Sequence, residues 1–384
     1  MPNEDWGEVE RTRPFWASKV GLARICPLRL LLEQEPAYDP EIPSSPLAVL
    51  GSILHEVVAE LVPGNDVEEA VETAISAKLI PSDATRATAV PLYETVSPSE
   101  LAARVGVAKR LATNLTVRTK SGARRRPRPL PLRNSDPFAR SNVWLNSTEH
   151  DLCGSLDHLE RTQEGLLTVS EAKTGRIRDT EGQLKGEHFA QLLSYGLLVQ
   201  ANMHAESIVL RLCGIDGTEV VRFDDVFAEN ARSALQHLQT LLPRNVQLKS
   251  SELATCGTGC YRCSYRNRCA DYRAWAPRRW TDPESGHLPL DCWGIMEKVE
   301  ADSEPWLARI YVRDPTGHLA SITHVPRRLL PLNVQTGCLI AAFNLRSFER
   351  RSSKRPANFA VASLRRTYES AHDAVLFFEK NNSV

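Results

Sequence analysis

Two sets of side chains in this sequence are spaced for chemistry. The first is a set of thiols. Cys260, Cys263 and Cys269 form a C-x2-C-x5-C cluster, and Cys26, in a Cys-Pro pair, lies more than two hundred residues earlier. Four thiolates can enclose one metal ion or one iron–sulfur cluster. With Cys26 as the fourth ligand, the group would staple the two ends of one domain. Cys256 lies four residues before Cys260 and offers a local alternative, a knuckle of Cys256, Cys260, Cys263 and Cys269 for which spacing alone makes zinc the default. The second set is Asp157, in Gly154-Ser-Leu-Asp157, with Glu171 and Lys173, in Glu171-Ala-Lys173-Thr-Gly175. Two carboxylates and a lysine on neighbouring strands suit metal-assisted phosphodiester hydrolysis. The carboxylates hold a hard cation such as Mg²⁺ or Mn²⁺, and the lysine orients water or neutralises developing charge. The same spacing also fits a salt-bridged surface strand pair.

Elements must position these residues. Residues 18–35 read as a helix with Pro27 early in it. Residues 47–62 read as an amphipathic helix with an apolar stripe from Leu50 to Leu61, and His55 sits at the margin of that stripe. A histidine there is either structural or, beside carboxylates, a Mn²⁺ ligand. Residues 66–80 and 98–117 also read as helical. The alternation of 142–148, 152–160, 166–171, 206–213 and 218–223 predicts strands, with helices at 182–202 and 226–242. Gln191 and Tyr195 share a face of the 182–202 helix, apart from its main apolar stripe. They are either a solvent-facing pair or a pair that positions water or phosphate. Helices followed by a small mixed sheet argue an α/β class. The Pro- and Gly-rich stretch 277–289 reads as a linker. Weak strand candidates at 291–299, 306–312, 318–323, 337–343 and 358–363 fit a small β domain over 290–384, of the OB type.

Composition sets the outer limits. The 384 residues are 42% hydrophobic and 24% charged, and the 47 basic residues balance the 47 acidic ones, so nucleic-acid binding must come from local patches. One such patch is the 118–140 segment, either a solvated loop or an electrostatic arm. A second runs through Arg346, Arg350, Arg351, Lys354 and Arg355. A third interleaves arginines and aromatics around the cysteines, and it makes Arg262, Tyr265, Arg266, Arg273 and Trp275 candidates for holding a single strand. The polar, acidic N-terminus does not read as a signal peptide, and no run approaches the roughly 18 apolar residues of a membrane span. Nine cysteines, four with metal-site spacing, point to a reducing cytoplasm and not to a disulfide framework. No Walker A motif is present, so a helicase motor would come from a partner.

In order, the chain carries an upstream Cys-Pro, Gly51-x-x-x-His55, Gly154-x-x-Asp157, Glu171-x-Lys173-Thr-Gly, Gln191-x-x-x-Tyr195 and C-x2-C-x5-C. This order resembles the RecB-like branch of the PD-(D/E)XK nuclease superfamily, and within it the iron–sulfur members. These include CRISPR spacer-acquisition nucleases, the AddB nuclease domain and eukaryotic helicase–nucleases of replication. The resemblance covers about residues 18–275. It implies a restriction-endonuclease-like mixed sheet flanked by helices, with a nuclease domain over 1–276. It also implies that His55, Asp157, Glu171 and the backbone carbonyl of Ala172 ligate a catalytic Mn²⁺ or Mg²⁺, that Lys173 activates water, and that Gln191 and Tyr195 complete the site. Cys26, Cys260, Cys263 and Cys269 would hold a structural 4Fe-4S cluster, the Cys-Pro context of Cys26 favouring it over the local zinc knuckle. Two departures stand out: the 118–140 insertion and the fifth thiol, Cys256. The expected activity is a metal-dependent DNase acting on single strands, ends or flaps in repair or defence. The alternative is a non-catalytic iron–sulfur DNA-binding subunit of a helicase–nuclease assembly.

Overall fold

The computed structural model describes residues 6–40, 42, 50–52, 54, 99, 102–106, 108, 138–205, 207–279, 290–315, 317, 319–327, 330, 336–347, 358–360 and 375–378. His55, the 66–80 helix, most of the 118–140 insertion and the 350–355 basic run lie outside these residues.

The first expected helix is broken in two. A 3-10 turn, Val20–Arg24, is followed by α1, Pro27–Gln34, with Cys26 extended at its N-cap. Pro27 explains the break. It disfavours a helical residue before it and starts a new helix at its first position. Two short strands precede the turn, β1 (Glu8–Glu10) and β2 (Phe15–Trp16).

The central sheet is built from β3 (Phe138–Ser147), β4 (Leu152–Arg161), β5 (Leu166–Ala172), β6 (Ser207–Gly214) and β7 (Gly217–Phe223), joined by β2. Its order is β2-β4-β5-β6-β7, with β3 also paired to β4. Strands β5 and β6 are parallel, β2 and β4 are parallel, and the remaining neighbours are antiparallel, a mixed sheet. Arg140 belongs to β3, so the strand takes up the last residues of the expected insertion.

The parallel β5–β6 pair needs a crossover, and α2, Gly186–Asn202, supplies it. Its start falls four residues later than expected, because 179–183 close a turn through the Asp179 N–H to Gln183 carbonyl bond. Residues 191–199 of α2 are all buried. Gly196 lets it lie close to the sheet, since a Cβ there would come 2.6 Å from the Phe223 ring. Helix α3, Asp225–Leu241, adds Ala228, Ala231, Leu235 and Leu238 to the same core. Strand β8 (Gln247–Lys249) then pairs with β1. Residues near the start of the chain and residues 247–249 are thus hydrogen-bonded together.

After the cysteine segment and α4 (Ala270–Trp275), a second sheet begins. Its strands are β9 (Leu290–Ala301), β10 (Leu307–Arg313), β11 (Leu319–Pro326), β12 (Leu339–Ser347), β13 (Asn358–Ala360) and β14 (Val375–Phe378). Strand β14 was not foreseen. The path β12-β9-β10-β11-β13 closes into a ring, because β13 pairs with both β11 and β12. The β11–β13 pair is parallel. Cys292, Met296, Ile310, Ile322 and Ile340 are among the residues that fill its core. Among the described residues, no helix is long and apolar enough to cross a membrane.

Candidate active site and cysteine centre

Glu171 stands near the C-terminal end of β5, where α/β sheets open a crevice for ligands. Its Oε1 accepts two bonds, from Lys173 Nζ at 2.8 Å and from Gln191 Nε2 at 2.7 Å. Its Oε2 is buried and meets no donor among the described residues. Asp157 reaches across from β4 and accepts the Ala172 N–H at 2.7 Å. Burial, and then the neighbouring Glu171, push the Asp157 carboxyl well above the usual aspartate range. Two buried carboxyl groups with one oxygen lacking a donor are costly without a cation, so the residues present fit a divalent metal.

Gln191 and Tyr195 do not face solvent. Both are buried, 3% and 2% exposed. Gln191 Nε2 lies 2.9 Å from the Tyr195 hydroxyl, which donates to the Ser155 carbonyl at 3.0 Å. Burial, with Glu171 nearby, keeps the Tyr195 phenol protonated well beyond its ordinary range. The glycine of Gly-x-x-Asp has a steric reason here: a Cβ on Gly154 would lie 3.2 Å from the Tyr195 ring. The glycine of Gly-x-x-x-His lets residues 50–52 approach the Glu171–Gly175 loop, for a Cβ on Gly51 would lie 3.2 Å from Thr174 Oγ1. His55 itself is outside the described residues. His188, not singled out from sequence, is half-buried one helical turn before Gln191. Burial and Lys173 lower its pKa to about 4, so it is neutral at neutral pH. Its i, i+3 spacing to Gln191 was the available signal.

The cysteines gather around one cavity lined by Cys26, Cys256, Cys260, Cys263 and Cys269. Among the described residues, three of the five sulfurs accept a backbone N–H. Thr255 donates to Cys26 Sγ at 3.5 Å, Gly257 to Cys260 at 3.4 Å and Tyr272 to Cys269 at 3.4 Å. Cys256 differs. Its thiol hydrogen-bonds to Cys260 and Cys269, which raises its own pKa, holds Cys260 at about 7 and lowers Cys269. Among the described residues, no three His, Cys, Asp or Glu side chains converge as a group that could hold a metal ion.

Two of the five candidates for strand binding are interior. Tyr265 and Arg266 are buried, and Arg266 is held entirely by protein groups. This corrects their assignment as nucleic-acid contacts: the alternation of arginine and aromatic residues here serves packing. Arg262 is exposed, while Arg273 and Trp275 are half-buried. Trp275 packs beside Tyr261 and Tyr272.

The fold is a mixed sheet with a carboxylate–lysine cluster at the end of β5. The sequence profile of the PD-(D/E)XK nuclease superfamily matches residues 15–270, and the chain belongs to that superfamily, whose members are in general metal-dependent nucleases. Comparison with curated proteins finds no match. Among solved structures the chain is similar to one titled "Crystal structure of SSO0001". The two are 15% identical over 64% of this chain and 95% of the other, with a TM-score of 0.25, a likeness too slight to support more.

Proposed function

We propose that this chain is a DNA nuclease of the RecB-like, iron–sulfur branch, acting on single strands, ends or flaps in DNA repair or defence. The observation that carries the reading is one hydrogen-bonded network at the end of β5. It joins Lys173, Glu171, Gln191 and Tyr195 and lies beside Asp157. Asp157, Glu171, the Ala172 carbonyl and His55 would hold Mg²⁺ or Mn²⁺. When bound, the cation polarises the scissile phosphate and lowers the pKa of a water. Gln191 and Lys173 occupy Glu171 Oε1 and so leave Oε2 for that ligand role. Lys173 is 24% exposed, which leaves its ammonium able to orient the attacking water and offset developing charge. The intact network favours catalysis over the scaffold reading. The test is cleavage of end-labelled single- and double-stranded DNA with Mn²⁺, Mg²⁺ or EDTA. We expect metal-dependent cleavage of the single strand. No cleavage by folded protein under any of these conditions would refute the activity.

The 4Fe-4S assignment is supported by the N–H to sulfur bonds, which favour thiolates and tune such clusters. On this reading Cys26, Cys260, Cys263 and Cys269 are the proposed ligands, and Cys256 is a neighbour of two of them. Anaerobically purified Cys256→Ser should therefore keep its iron and its visible absorption, and Cys26→Ser should lose both. The opposite pattern would assign the local knuckle. The closed five-strand path with one parallel pair supports an OB-type barrel over 290–384. Its β12–β13 connection carries Arg350, Arg351, Lys354 and Arg355, which suits a second contact with the DNA strand. A helicase or other nuclease subunit is the proposed partner, and the cytoplasm the proposed location.

A further inference from the structure

The C-terminal barrel meets the cysteine segment through a buried polar node. Arg266 lies between Cys263 and Cys269 and lines the cysteine cavity. It donates to both oxygens of Asp291 on β9, at 2.6 and 3.2 Å, to Asn344 Oδ1 on β12 at 2.6 Å and to the Cys263 carbonyl at 2.9 Å. The Arg266 and Asp291 side chains are 2% and 0% exposed. Tyr272 spans the same gap. Its backbone N–H donates to Cys269 Sγ, and its hydroxyl donates to Asp291 Oδ2 at 2.5 Å. Around this node Trp293, Ala341 and Phe343 of the barrel form an apolar cluster with Tyr272 and Ala276, and Cys256, Cys260 and Cys269 pack against it.

We propose that the β9–β12 face of the barrel is the backing wall of the cysteine cavity, one layer behind the lining residues Arg266 and Tyr272. Asp291 latches it there, so that the docked barrel and the occupant of the cavity hold each other in place. Arg266 and Tyr272 are the shared parts. Each is fixed on one side by the cysteine loop and on the other by Asp291. A group bound to the thiols orders that loop and presents both donors to Asp291. In return, a docked barrel keeps solvent and oxidants from three of the thiols. Such coupling is reciprocal: whatever the occupant adds to barrel docking, docking adds to retention of the occupant. This rests on the cysteine-site reading only for the occupant's identity; the wall itself does not depend on it.

The experiment uses the full chain and Asp291→Asn, which keeps the shape of the side chain but removes its charge. Limited proteolysis reads release of the barrel through cutting within 280–289, with and without chelator treatment. Visible absorption in air reads loss of the occupant. We expect chelation to speed cutting in the wild type by about 5- to 100-fold. Asp291→Asn should be cut quickly even before chelation and should bleach faster in air by a similar factor. Equal cutting with and without the occupant, or unchanged bleaching in Asp291→Asn, would overturn the proposal. If elemental analysis finds no metal, the cofactor reading falls by itself. Labelling of thiols by a disulfide reagent then decides the wall: faster labelling in Asp291→Asn supports it and equal labelling refutes it. Should Asp291→Asn fail to fold, Asn344→Ala, which removes one acceptor of Arg266, takes its place in each arm.

Discussion

Asp157→Asn is expected to abolish cleavage and at the same time stabilise the cation-free protein. The loss of activity should be about 10³-fold or more, as for removal of a principal electrostatic group from an active site. The gain in stability follows from the environment of Asp157. Its carboxyl is buried beside Glu171, and both factors disfavour its charged form. An amide keeps the shape, still accepts the Ala172 N–H and carries no charge. Relief on the order of 1–3 kcal/mol is expected, or about 2–4 °C in melting temperature for each kcal/mol in a domain of 150–250 residues. The pH dependence has a definite sign. The folded protein binds the Asp157 proton more tightly than the unfolded chain does. Below the ordinary aspartate range both states are protonated and the residue contributes no slope. As pH rises from that range through the raised pKa, the unfolded chain loses its proton first and stability falls. Melting curves in EDTA should show this decline in the wild type and not in Asp157→Asn, and saturating Mn²⁺ should restore the wild type at neutral pH. A variant that melts lower than the wild type in EDTA would contradict the electrostatic account of the site.

Arg266→Ala is expected to cost about 3–5 kcal/mol, the usual result of removing one partner from a buried ion pair. Burial works against the guanidinium's charge, and Asp291, with smaller contributions from Tyr272 and Cys263, offsets that effect and keeps Arg266 charged. Without Arg266, Asp291 keeps the Tyr272 hydroxyl and the Asn344 N–H but stays a buried anion that has lost its guanidinium partner. Arg266 also lies over the Phe343 ring, 5.2 Å from its centre, so packing is lost as well. Replacing both partners, Arg266→Met with Asp291→Leu, should recover much of the loss, because no charge is then stranded. Urea denaturation of the three variants checks this. A cost for Arg266→Ala below about 1 kcal/mol would place the pair in the range of surface ion pairs and refute its structural weight.

The central sheet was legible because its strands alternate and polar, glycine-containing turns such as 162–165 separate them. The candidate site could be named from sequence for a different reason. Its residues lie on two neighbouring strands, just past one strand end and on one helix face, so short spacings carry their order. Burial was not legible. Gln191 and Tyr195 lie off the apolar stripe of their helix and read equally well as exposed, until the Glu171 carboxylate and the Ser155 carbonyl give each a partner. Arg266 failed in the opposite direction. Its neighbours in sequence are arginines and aromatics, whereas its partner Asp291 lies beyond the expected linker, and nothing local pairs them. The helix break at Cys26 was written in Pro27, whose effect on the residue before it outweighs the apolar period.

The most direct test is the single-turnover rate of cleavage of an end-labelled single strand by wild type and Lys173→Ala, both in saturating Mn²⁺. Lys173 is partly exposed, and its side chain touches the fold through Glu171, so the variant should stay folded, as circular dichroism would verify. The account predicts rapid cleavage by wild type, none in EDTA, and a loss of about 10²- to 10³-fold in the variant. Equal rates in the two proteins would mean that the carboxylate–lysine network is not the active site.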